Sequence, residues 1–162
     1  MYDMILLLHH QTRAPMRYSR VTAAAVLLLG CSISQAFEFK SIGAAPAVLY
    51  DAPSQKGKKV FVAPRGMPVE VVLNYGDWAK VRDASGALAW LESKSLSSKR
   101  NVVVQVASTK VRSAAEEGAF IVFTAEKGVL LEMSDPVAAG WIKVRHRDGQ
   151  TGYVKASEVW GE

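Results

Sequence analysis

Trp78-Ala79-Lys80-Val81-Arg82 returns in the same chain as Trp141-Ile142-Lys143-Val144-Arg145. Each copy is followed at the same distance by a turn glycine, Gly86 or Gly149, and then by an aromatic-aliphatic pair, Trp90-Leu91 or Tyr153-Val154. The register also extends backwards. Leu49 falls on Val111, Val60-Phe61 on Val122-Phe123, Ala63 on Ala125, Gly66 on Gly128 and Glu70 on Glu132, with one extra residue before Trp141. A match held over so long a stretch marks a duplicated unit of folding. The units are placed at 37–97 and 102–162, joined by the short polar segment Ser97-Ser98-Lys99-Arg100-Asn101.

Within each unit the periodicity is that of strands. Val69, Val71 and Leu73 alternate with Glu70 and Val72, and Leu131 and Met133 flank Glu132. Val102-Val103-Val104 is β-branched. Ser85-Gly86 and Asp148-Gly149 separate strand-like runs and predict hairpins, while Gly66 and Gly128 mark a further turn. No stretch after residue 36 sustains a helical period. Short strands without helices predict an all-β chain of two small five-stranded barrels. Period two then divides the repeated motif. Ala79, Val81, Ile142 and Val144 point inward, and Trp78, Lys80, Arg82, Trp141, Lys143 and Arg145 point outward. An outward indole beside cations either lines a groove or packs under a loop or against the other barrel.

Residues 1–36 read as a signal peptide. Met16-Arg17-Tyr18-Ser19-Arg20 is a short basic start, Val21–Leu29 is apolar, and Ser34-Gln35-Ala36 carries small residues for cleavage after Ala36. Met16 is the expected true start. The apolar run is shorter than the roughly 20 residues a membrane span needs. Leu28-Leu29-Gly30-Cys31 offers the alternative of a lipoprotein acylated at Cys31, the one case in which a membrane partner is expected. Cleavage after Ala36 leaves a chain without cysteine, hence without disulfides.

The composition, 49% hydrophobic and 22% charged, is that of a globular protein. The formal charge is +5, but Arg13, Arg17 and Arg20 against Asp3 lie in the leader, so the remainder is only weakly basic. With its cations scattered, no nucleic-acid partner is expected.

Several matches in order, twice, resemble the bacterial Src-homology-3 (SH3b) domain. Ala47-Val48-Leu49-Tyr50-Asp51 is similar to the Ala-Leu-Tyr-Asp opening of the eukaryotic relatives. Gly76-Asp77-Trp78-Ala79-Lys80-Val81 is similar to the Gly-x-Trp-x-Lys-Val strand. Gly149-Gln150-Thr151-Gly152-Tyr153-Val154 with Ser157 and Val159 is similar to the closing hairpin and strand. The resemblance implies two tandem SH3-like β-barrels, each with a long first loop, here 50–59 and 112–121. It implies binding rather than chemistry, in the cell envelope. The expected partner is peptidoglycan or its peptides, or alternatively an envelope protein for which the chain is an adaptor. The expected location is the periplasm of a Gram-negative bacterium. The Pro-Ser-x-Tyr segment that reads proline-rich peptides is replaced by Glu92-Ser93-Lys94-Ser95 and Lys155-Ala156-Ser157-Glu158, so polyproline recognition is not expected. Arg112-Ser113 replaces Tyr50-Asp51 in the second unit, so the two grooves need not bind the same thing. The candidate ligand-binding residues are Tyr50, Trp78, Lys80, Arg82, Trp90, Arg112, Trp141, Lys143, Arg145 and Tyr153.

Catalysis is not expected. Beyond residue 36 there is one histidine, His146, and no cysteine, too few for a cysteine nucleophile with its base or for a zinc cluster. His146 reads as an exposed loop residue, Glu116-Glu117 as loop charges, and Glu70 and Glu132 as strand-surface charges. No phosphate-cradling glycine loop occurs and no cofactor or metal is implied.

Overall fold

The computed structural model describes residues 38–162. The expectations attached to Met16, Cys31 and Ala36 lie outside the described residues. The first domain contains β1 (Glu38–Ile42), β2 (Ala47–Tyr50), β3 (Lys59–Ala63), β4 (Pro68–Tyr75), β5 (Trp78–Arg82), β6 (Leu88–Glu92) and β7 (Leu96–Ser97). The second repeats the series as β8 (Asn101–Val104), β9 (Ser108–Arg112), β10 (Ile121–Glu126), β11 (Leu130–Met133), β12 (Trp141–Arg145), β13 (Thr151–Lys155) and β14 (Val159–Trp160). The strand orders are β3-β2-β6-β5-β4-β1-β7 and β10-β9-β13-β12-β11-β8-β14, the same topology twice. Each sheet holds seven strands, where five were expected. The excess includes two-residue segments, β7 and β14, which pair with β1 and β8. The only helical turns among the described residues are 3-10 turns at Ser93–Ser95 and Ala156–Glu158, where the proline-reading segment would lie.

Alternation builds both cores. Ala79, Val81, Leu49 and Leu91 are buried in the first domain, and Ile142, Val144, Val111 and Val154 in the second. The motif strand therefore faces as its period requires. The hairpins fall at the predicted glycines: Gly86 and Gly149 both take positive φ, at 87° and 94°, which glycine adopts without steric penalty. Gly66 and Gly128 do the same in the turns that precede β4 and β11. The long first loops run between β2 and β3 and between β9 and β10.

Alternation fails in β4. A bulge between Val71 and Leu73 shifts the register against β5, which is how one strand changes the face it presents. Leu73 is exposed as a result. Glu70, expected at the surface, is buried at 8% exposure. It lies in a cross-strand row with Phe39 on one side and Arg82 on the other. Its charge is matched by the Arg82 guanidinium at 3.0 Å.

The domains meet along a defined seam. The ring of Phe39, from β1, lies edge-on to Trp160, from β14, at 5.0 Å. The Asn101 backbone N–H donates to Ser41 Oγ (3.1 Å), and its side-chain amide donates to the Gly66 carbonyl (2.8 Å). Gly161 is packed so closely that a Cβ there would stand 2.8 Å from Pro68 Cβ. Neither Trp78 nor Trp141 makes this seam.

β3 and β10 end their sheets on one side, as the two-residue β7 and β14 do on the other, and Val60, Phe61, Val62, Ile121 and Val122 on β3 and β10 are exposed.

Candidate functional site

Cross-strand pairing assembles the outward residues of the first domain. Lys80 pairs with Trp90, and Trp90 with Tyr50, across β5, β6 and β2. Tyr75 pairs with Trp78 at the start of the β4–β5 hairpin. The side chains follow. Tyr50 meets Trp78 edge-on at 5.6 Å, Tyr75 meets Trp90 edge-on at 6.4 Å, and Lys80 Nζ stands 5.8 Å from the centre of the Trp90 ring. Edge-on rings and a cation over an indole are the favourable arrangements of such groups. The result is one aromatic face with a single ammonium above it. Trp78, Trp90 and Tyr50 are half-buried and Tyr75 is exposed, so ring surface is presented to solvent while its rim is held.

Tyr75 was not among the sequence candidates. Its signal is Tyr75-Gly76-Asp77-Trp78: a two-residue hairpin with Gly76 at φ 55° sets the flanking aromatics opposite each other. Arg82 does not join the face. It is held by Glu70, as described above.

The second domain uses the corresponding place differently. Arg112 stands where Tyr50 stands, donates to the Ala119 carbonyl at 2.9 Å and lies 4.0 Å from Glu117. Lys155 also pairs with Glu117, whose carboxyl is held below the ordinary range chiefly by that hydrogen bond. Trp141 lines a small cleft with Arg112, Glu117 and Lys155. Lys143 pairs across β12 and β13 with Tyr153, and its ammonium lies 3.7 Å from Asp135. β11 stops at Met133, and residues 134–140 replace the tight hairpin of the first domain, so Tyr75 has no counterpart. The aromatic platform of the first domain thus becomes a polar, ion-paired patch in the second.

Arg145 goes elsewhere again. Its β-sheet partner is Glu132, as Arg82's is Glu70. But Glu132 is ion-paired at 2.8 Å with Lys99 from the linker. Arg145 lines a cleft of about 750 Å³ between the domains. His146, expected as an exposed loop residue, is half-buried there: its Nδ1 lies 3.0 Å from Asp148 and its ring leans on Phe123. Among the described residues no group of three or more histidine, cysteine or acidic side chains is placed to hold a metal ion.

The two all-β domains share one topology, that of SH3-like modules. The chain belongs to the bacterial SH3 domain family, whose profile matches residues 43–98 and again 105–161. No curated protein matches it significantly. Among solved structures it is similar to NlpC2 from Trichomonas vaginalis, at 13% identity and a TM-score of 0.37, over 79% of this chain and 49% of that one. NlpC1 from the same organism is similar at 14% identity and a TM-score of 0.37, over 81% and 48%. An NlpC/P60 family protein from Bacillus cereus is similar at 16% identity and a TM-score of 0.36, over 76% and 56%. The chain spans about half the length of these proteins.

Proposed function

We propose that this is a non-catalytic cell-envelope binding protein whose tandem SH3b modules recognise peptidoglycan or its peptides. The observation that carries the reading is the face built from Tyr50, Trp78, Trp90, Tyr75 and Lys80. Rings with open surface stack on sugar faces and apolar peptide atoms, and the ammonium meets the carboxylates of wall peptides. The second domain contributes Trp141, Tyr153, Arg112 and Lys143, a more polar patch suited to the charged parts of the same polymer. Two weak sites on one chain bind a repeating polymer more tightly than either alone. Export to the periplasm of a Gram-negative bacterium belongs to the same proposal.

Sedimentation with purified sacculi tests it. Wild type is expected to co-sediment, and the Trp78→Ala/Trp90→Ala variant, checked by circular dichroism for an intact fold, to remain in the supernatant. Equal sedimentation of the two folded proteins refutes the aromatic face as the site.

A second reading, an adaptor for an envelope enzyme or assembly factor, draws on β3 and β10. Their exposed apolar side chains and outermost position suit strand addition by a protein partner. A stoichiometric crosslinked protein partner in cells, with no retention on sacculi, would favour it over wall binding.

A further inference from the structure

The cleft between the domains is lined by Arg65, Lys99, Arg145 and Arg147 against one carboxylate, Glu132. Glu132 is already engaged by Lys99. No carboxylate among the described residues lies within ion-pair distance of Arg65, Arg145 or Arg147, whereas Arg82, Arg112, Lys143 and Lys155 each have one. Guanidinium groups stay charged at any physiological pH and present a planar fork matched to oxyanions. Gathered along one concave wall, they sum to a positive potential in the cleft.

The arginines come from both domains. Arg65 lies in the turn between β3 and β4, and Arg145 and Arg147 lie at the end of β12 and in the hairpin beyond it. The turn bearing Arg65 is clamped to the second domain, because the Gly66 carbonyl accepts the Asn101 side-chain amide at 2.8 Å. Asn101 itself belongs to the row Asn101–Glu132–Arg145 across β8, β11 and β12. The Phe39–Trp160 contact and the Asn101–Ser41 hydrogen bond fix the same seam. The three unpaired guanidiniums are therefore held in one concave site by the way the domains join.

We propose that this inter-domain cleft is a binding site for a multiply charged oxyanion, a phosphate-bearing group or a set of clustered carboxylates, bridged between Arg65 of the first domain and Arg145 and Arg147 of the second. The site is separate from the aromatic face and stands or falls independently of wall binding.

Calorimetric titration of the full chain at matched ionic strength tests it, with inorganic pyrophosphate as the phosphate probe and citrate as the carboxylate probe. Saturable binding of at least one probe is expected, and which of the two binds identifies the chemistry. Arg65→Gln and Arg145→Gln/Arg147→Gln should each weaken it by at least about tenfold, the lower range for a charge-assisted hydrogen bond. Arg65→Lys should recover part of the loss, and Trp78→Ala should leave it unchanged. The substituted arginines are exposed, so the unliganded melting temperatures should match wild type. Absence of saturable binding by both probes overturns the proposal. So does binding that Arg65→Gln leaves intact, since the anion would then not bridge the domains.

Discussion

Phe39 and Trp160 lie edge to face at 5.0 Å, one from the first strand of the first domain and the other from the last strand of the second. The two ends of the described chain thus close on each other. Phe39→Ala removes an aromatic pairing of about 0.5–1.5 kcal/mol beyond its burial. Wild type is expected to unfold in one calorimetric transition, because each small core gains from its neighbour. Phe39→Ala leaves the Asn101 hydrogen bonds and the Gly161 packing at the seam and weakens the coupling, so the transition is expected to broaden toward two components. Trp78→Ala, away from the seam, should keep a single transition.

The Glu70–Arg82 pair and its duplicate make a matched comparison. Arg82→Gln leaves the buried Glu70 carboxylate without its cation and is expected to destabilise by about 1–3 kcal/mol. Arg145→Gln removes the equivalent residue, but Glu132 keeps Lys99, so the change should stay within about 0.5 kcal/mol. Urea denaturation of both variants reads the difference directly.

Gly152 is sterically committed. A Cβ there would stand 2.6 Å from the Arg112 carbonyl oxygen and 2.7 Å from Val111 Cγ1. Gly152→Ala must therefore push β13 away from β9, at a cost of about 1–3 kcal/mol. The corresponding residue of the first domain is Ala89, buried at 7% exposure. The first sheet thus accommodates the methyl group that the second excludes. Thermal melts of Gly152→Ala and Ala89→Gly should show the larger loss in the former.

Asp148 sets a pH dependence. The Gln150 backbone N–H, then His146 and the Gln150 side chain, donate to its carboxylate and hold its pKa down to about 2, from 3.8. A carboxyl lowered on folding contributes stability that is complete above its unfolded value and is lost as pH falls through the folded one. The contribution is thus lost between about pH 4 and pH 2. Melting temperatures of wild type and Asp148→Asn should differ at pH 5 and converge toward pH 2. The carboxyls of Glu92 and Glu117 are lowered too, so the difference between the two proteins, rather than the wild-type curve alone, isolates Asp148.

Much of this architecture is legible in the motif Trp-x-Lys-Val-Arg. A period of two and a repeat are local properties, and they place Ala79, Val81, Ile142 and Val144 in the cores and Trp78 and Lys80 on an outer face. What the sequence leaves open depends on contacts between distant strands. Glu70 looks like a surface charge until the bulge in β4 and the row with Phe39 are known. Trp160 carries no pattern that marks it as the seam. Arg82 and Arg145 occupy identical places in the repeat, and they differ in what stands beside the acid each faces: Phe39 beside the buried Glu70, Asn101 and the linker's Lys99 beside Glu132.

That last difference bears on how new specificity arises in duplicated proteins. In the first domain the acid and the arginine form a neutralised couple. In the second a lysine of the connecting segment takes the acid, and the arginine opposite it has no carboxylate within ion-pair distance among the described residues. A surplus charge can thus appear in a tandem protein with no substitution at the charged position itself. It is a by-product of where the connection runs, and selection for a ligand can begin from it.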